Sequence, residues 1–163
     1  VQIWDFTTGQ LVTQMSHQPS MDGSVQFSPD GSRLLTVGAD GFGRIWETES
    51  GDLLLELEGH TGPVEDGVWA SDDTVATVSG DNTARLWDAG NGENVLTLRL
   101  DGGFPYVAVS PDGRRLATSS GGVVRVWTLD LEELLAIAAE RPSRSLSSAE
   151  CVTFHFEDCP GRS

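Results

Sequence analysis

Ala84-Arg85-Leu86-Trp87-Asp88 ends a phrase that the chain writes four times. Its counterparts are Val1-Gln2-Ile3-Trp4-Asp5, Gly43-Arg44-Ile45-Trp46-Glu47 and Val124-Arg125-Val126-Trp127-Thr128. The tryptophans stand at 4, 46, 87 and 127, so they are 42, 41 and 40 residues apart. A fixed period of this size marks one supersecondary unit copied along the chain, and a copied unit buries its faces against its neighbours. Around Trp87 the stretches 64–70, 74–79, 83–88 and 94–99 are rich in Val, Leu and Thr and are separated by Gly/Asp/Asn clusters. That pattern predicts four short antiparallel strands, here lettered a to d.

Strand a is the most apolar and is expected innermost; strand d varies most and is expected at the rim. Ser28-Pro29-Asp30-Gly31 recurs as Ser110-Pro111-Asp112-Gly113 between strands a and b. Proline presets φ for the second turn position and glycine suits a positive φ at the end, so this is a hairpin connector. The middle copy has Ala70-Ser71-Asp72-Asp73 there, a less specified turn. Four-stranded sheets stacked radially make a β-propeller. The expected fold is therefore all-β: a partial, open propeller of about three blades. The blades fall at about 1–16 (partial), 23–58, 64–99 and 105–127 (lacking its outer strand), with 129–163 a short helix and irregular tail.

The composition fits. The chain has 163 residues, 38% of them hydrophobic, with 19 glycines. This is too apolar for a disordered chain. Twenty-five acidic and ten basic residues give a formal net charge of −15, and every basic residue is arginine. Such a charge repels phosphate backbones and argues against nucleic-acid binding. No apolar run approaches the roughly 20 residues of a membrane helix. The chain opens inside a structural unit, without an initiator methionine or signal peptide, and so reads as a fragment. The repeat region has no cysteine, which favours a reducing, cytoplasmic setting.

Gly59-His60 before strand a, Asp81 in the turn before strand c and Trp87-Asp88 closing it resemble the WD40 repeat, over about residues 1–128. The resemblance implies a structural tetrad of His60, Thr77, Asp81 and Trp87, and in the preceding copy His17, Thr36, Asp40 and Trp46. His17 has one extra residue between it and strand a. The third copy has Leu100-Asp101-Gly102-Gly103 where Gly-His belongs and retains only Thr118 and Trp127, so it is expected to be less rigid. The tetrad has a clear chemical logic. A buried indole N–H needs an acceptor, a threonine hydroxyl can relay the bond to an imidazole, and a carboxylate fixes the tautomer.

Residues 129–142 have helical periodicity, with Asp130 and Glu133 as a capping box, Leu131, Leu134, Leu135 and Ala138 on one face, and Pro142 as the stop. Such a helix is expected as a lid on the last blade, or else as a docking element. The segment 144–160 resembles tails that follow WD40 arrays in large bacterial multidomain signalling proteins. Cys151, His155 and Cys159 are a weak candidate metal set. Their spacing of four suits one helix face, but 152–156 reads as extended and a fourth ligand is missing. A packed anchor, with a Cys151–Cys159 bridge under oxidising conditions, is the plainer reading.

These features point to a non-catalytic module for protein partners in cis or in trans, with no cofactor and the remaining blades upstream. The loops d–a and b–c gather at one end of a propeller, where Asp22, Glu65, Asp66, Phe104 and Tyr106 are candidate partner contacts. For Phe104 and Tyr106, ordinary strand-a packing is the competing reading. A second reading is an array that restrains an upstream NTPase, kinase or transcription-regulator domain. A propeller enzyme is the remote third, because strand a offers Val25, Phe27, Val68, Val107 and Val109 rather than titratable groups.

Overall fold

The computed structural model describes residues 1–14 and 23–129. The chain divides into two units, Val1–Trp127 and Thr128–Ser163. Thirteen strands occur among the described residues, and no helix does. The helix expected from residue 129 lies outside them, as do His17, Asp22, Cys151, His155 and Cys159.

The strands form four antiparallel sheets. A leading pair consists of β1 (Gln2–Trp4) and β2 (Leu11–Gln14). The first full sheet holds β3 (Val25–Phe27), β4 (Arg33–Val37), β5 (Gly43–Glu47) and β6 (Leu53–Leu57), in that spatial order. The second holds β7 (Val64–Ser71), β8 (Thr74–Ser79), β9 (Thr83–Asp88) and β10 (Asn94–Arg99), again in chain order. The third has β11 (Tyr106–Val109), β12 (Arg115–Ser120) and β13 (Val123–Thr128). Each full sheet is thus a meander a-b-c-d, and the whole is a partial, open propeller.

Alternation along each strand assigns its two faces. In the first sheet Leu34 pairs with Trp46 on one face and Leu35 with Ile45 on the other. Trp46 and Leu34 pack on Val1 and Ile3 of the leading pair. Leu35, Val37, Ile45 and Leu57 share a buried cluster with Trp69, Val75 and Trp87 of the second sheet. The tryptophan faces of the first and second sheets therefore each cover the aliphatic face of the sheet before. Trp87 and Ile45 are fully buried. Burying an aromatic of this size contributes several kcal/mol, and truncating it to alanine costs about 3–5 kcal/mol.

Contacts between the full sheets concentrate on strands a and b, which places strand a at the inner edge. Strand d is mostly exposed in both full sheets, as a rim strand must be. The turns before strand c demand a left-handed backbone. Gly41 (φ 87°) and Gly121 (φ 58°) supply it without a Cβ, and Asn82 (φ 65°) supplies it in the second sheet.

Candidate functional site

The polar centre of the second sheet is built from four elements. Strand c brings Trp87, strand b Thr77, the b–c turn Asp81, and the d–a loop His60. The Trp87 Nε1–H donates to Thr77 Oγ1 at 2.8 Å. Thr77 Oγ1 lies 2.8 Å from His60 Nε2, and His60 Nδ1 lies 2.9 Å from Asp81 Oδ2. Because the carboxylate only accepts, the imidazole proton sits on Nδ1, and the threonine hydroxyl donates to Nε2. Asp81 also accepts the Thr61 N–H at 3.0 Å, the Thr83 N–H at 2.9 Å and the Thr83 hydroxyl at 2.7 Å.

The electrostatics follow from this wiring. Burial pushes His60 below its ordinary 6.5, and the nearby Arg85 pushes the same way; the bond to Asp81 and its charge only partly oppose them. His60 is accordingly neutral near pH 7. Burial alone would raise Asp81, but bonds from Thr83, Thr61 and His60 outweigh it and hold the carboxyl at about 2.

Among the described residues the other copies show different contacts. In the first sheet Trp46 Nε1–H donates to Thr36 Oγ1 at 2.8 Å. Asp40 there lies 2.7 Å from Arg44 Nη2, and Arg44 Nε donates to Glu56 Oε1 at 2.8 Å. Asp40 is thus engaged with an arginine on its own strand pair. In the third sheet Trp127 Nε1–H donates to Thr118 Oγ1 at 3.0 Å. The missing His and Asp are replaced by backbone closing on backbone. Gly102, Gly103, Gly121 and Gly122 all have positive φ. A Cβ on Gly103 would lie 3.1 Å from the Gly121 nitrogen, so only glycine permits the approach.

Strand a carries a link that the repeat pattern does not announce. Gly67 N–H donates to Ser24 Oγ at 2.9 Å, joining the second sheet to the first. One period later Val107 N–H donates to Asp66 Oδ2 at 3.1 Å, joining the third to the second. Ser24 and Asp66 precede equivalent residues, so each sheet offers a side-chain acceptor to the inner strand of the next. Asp66 Oδ1 meanwhile accepts its neighbour's Gly67 N–H at 2.9 Å. Asp66, a candidate partner contact, is therefore occupied as an inter-sheet latch. Glu65 is half-buried beside it. Tyr106 stands at the same latch position in the third sheet and is 65% exposed. A second link lies at the other end of the sheets: Arg33 stacks over Trp69 at 4.8 Å and donates through Nη1 to Ala89 O at 3.2 Å and through Nη2 to Asp72 O. The sequence signal for the latches is faint, since Ser and Asp share only acceptor chemistry.

The family described as "WD domain, G-beta repeat" matches residues 9–47, 51–88 and 96–128. The chain belongs to the WD-repeat family. Among curated proteins it is similar to a guanine nucleotide-binding protein subunit beta-like protein of Encephalitozoon cuniculi, 36% identical over 73% of this chain and 37% of the relative. It is also similar to a serine-threonine kinase receptor-associated protein of Dictyostelium discoideum, 32% identical over 78% of this chain and 44% of the relative. A eukaryotic translation initiation factor 3 subunit I of Debaryomyces hansenii is 36% identical over 85% of this chain and 42% of the relative. The chain thus spans less than half the length of these relatives. Proteins of this family generally mediate protein–protein interactions. Each matched repeat runs from strand d through strand c of the next sheet, so it straddles a sheet boundary.

Proposed function

We propose that this WD-repeat chain is a non-catalytic, protein-binding segment of a larger propeller. One observation carries the reading. Gly62 O accepts the Ser79 hydroxyl and Gly102 O accepts the Ser120 hydroxyl, so these two loops are equivalent. Two residues later, Val64 is fully buried in one loop, whereas Phe104 is 80% exposed in the other. An exposed aromatic beside the exposed Tyr106 is the kind of anchor that interfaces use. The polar groups that a catalytic reading would need are already spoken for: His60, Thr77 and Asp81 satisfy one another and Trp87.

The open third sheet supports a longer parent protein. Val124 and Val126 are 68% and 62% exposed, while their counterparts Ala84 and Leu86 in the second sheet are buried. Further sheets would cover them, and a strand d beside β13, which the described residues do not include, would complete the third sheet. We place the parent protein in the cytoplasm, as a bacterial multidomain signalling protein whose effector lies upstream. Two relatives, named as an initiation-factor subunit and a receptor-associated protein, are consistent with work inside assemblies.

The test is to cross-link the parent protein in its native cells with and without Phe104→Ala plus Tyr106→Ala. Partners captured by the wild type and lost by a variant of unchanged thermal stability support the reading. Identical partners for both contradict it. The restraining-array alternative predicts instead that deleting residues 1–163 raises the activity of an upstream domain with no partner present.

A further inference from the structure

The rim strands repeat one irregularity. In β2, β6 and β10 the pairing with strand c slips by one residue beside the strand-c tryptophan. The residue left over is Val12, Leu54 or Val95. Each is a β-bulge, and a bulge re-aims the side chain it carries. That side chain is aliphatic every time, and it is 54%, 46% and 68% exposed. Leu11, Leu53 and Leu96 are exposed beside them. A bulge keeps a sheet edge from pairing with a stray strand, and a charged side chain there would protect it further. Exposed aliphatics do the reverse, so edge protection does not account for them. The three bulges are also linked. The Thr13 hydroxyl donates to Ser50 O at 3.2 Å, and a Cβ on Gly92 would lie 3.5 Å from Glu56 O. The c–d turn of each full sheet thus rests on strand d of the sheet before, which makes the rim continuous. Those turns, residues 5–10, 47–52 and 88–93, hold six carboxylates and no basic residue. Glu49 and Asp52 come just before Leu53 and Leu54, Glu93 comes just before Val95, and all three carboxylates are exposed. An apolar row and an acidic row therefore run side by side along the rim.

We infer that this rim docks a basic amphipathic helix of a partner protein, its apolar stripe on Val12, Leu54 and Val95 and its Lys or Arg flank on the acidic turns. The inference rests on the protein-binding reading and gives it a second surface, separate from Phe104 and Tyr106. Charge selects the occupant. The chain carries −15, so an acidic helix is repelled and a basic one is steered in. Backbone selects its form. An extended strand would need a regular ladder along the edge, and the bulges break it. A helix satisfies its own backbone and asks the rim only for side-chain contacts.

The experiment follows fluorescence polarisation of a labelled peptide of about 18 residues, leucine on one face and lysine on the other, roughly 27 Å long as a helix. The control is a scrambled peptide of the same composition with no apolar face. The 163-residue chain should bind the amphipathic peptide saturably, and the scrambled one about tenfold more weakly or worse. Val12→Ser, Leu54→Ser and Val95→Ser together should weaken binding about tenfold at unchanged thermal stability. Glu49→Gln, Asp52→Asn and Glu93→Gln together should weaken it similarly and flatten its salt dependence. If the serine set unfolds the chain, the carboxamide set decides alone. No saturable binding, equal binding of the two peptides, or insensitivity to either set in a folded chain overturns the inference. None of those outcomes touches the Phe104 and Tyr106 test, so the two readings fail separately.

Discussion

At the scale of single residues, Thr77 is the hinge of the second sheet's polar centre. Its one hydroxyl both accepts from Trp87 and donates to His60. Thr77→Val keeps the shape and removes that hydroxyl, leaving two buried groups without partners. The expected loss in urea unfolding is about 1–3 kcal/mol for each orphaned group. Thr77→Ser keeps the relay and should lose about 1 kcal/mol or less, the value of one buried methyl. The same centre sets a pH dependence. His60 has a lower pKa folded than its ordinary 6.5, so the unfolded chain binds that proton first. Its contribution is complete above pH 6.5 and is lost as the pH falls below it. Asp81 acts in the same direction further down, its contribution being lost as the pH falls from 3.8 towards about 2. Stability profiles should therefore decline in two acid steps, and His60→Gln should remove the step below pH 6.5. An unchanged upper step in that variant would assign it to another histidine. These four residues were legible in the sequence because their types and spacing serve one relay. For Asp40, whose spacing matches Asp81, the contact among the described residues is with Arg44, and its expected partner His17 lies outside them.

At the scale of strands and sheets, the second copy folds where its pattern says. Strands b, c and d at 74–79, 83–88 and 94–99 coincide with β8, β9 and β10. Val/Leu/Thr runs bounded by Gly, Asp and Asn specify local structure strongly, and here nothing tertiary overrides them. What the sequence concealed is how one sheet grips the next, because that depends on side chains a full period apart. Gly67 illustrates it. A Cβ there would lie 2.9 Å from Val37 Cγ1 and 3.0 Å from Leu35 Cδ2, both on the neighbouring sheet. Gly67→Ala should cost about 1–3 kcal/mol by overpacking, read as a lower denaturation midpoint. Asp66→Leu should leave the Val107 amide unpaired and speed its hydrogen exchange while β8 and β9 stay protected. The third sheet, held by glycine backbone in place of a His–Asp pair and with β13 exposed along Val123, Val124 and Val126, should exchange faster than the second. Equal protection in the two sheets would contradict that ranking.

At the scale of the whole molecule, the described strands amount to a pair, two complete sheets and one of three strands, and the Trp46 and Trp87 faces each cover the aliphatic face before them. The central claim is that these are equivalent sectors, each built around a tryptophan tied to its own strand-b threonine. Trp46, Trp87 and Trp127 have that tie, at 2.8, 2.8 and 3.0 Å, while Trp4 is largely exposed. The most direct measurement is hydrogen exchange of the indole Nε1–H signals, assigned by replacing each tryptophan with phenylalanine. Trp87 should exchange slowest, Trp46 and Trp127 should be clearly protected, and Trp4 should exchange at close to the free indole rate. Exchange of Trp46 and Trp87 as fast as Trp4 would contradict the account.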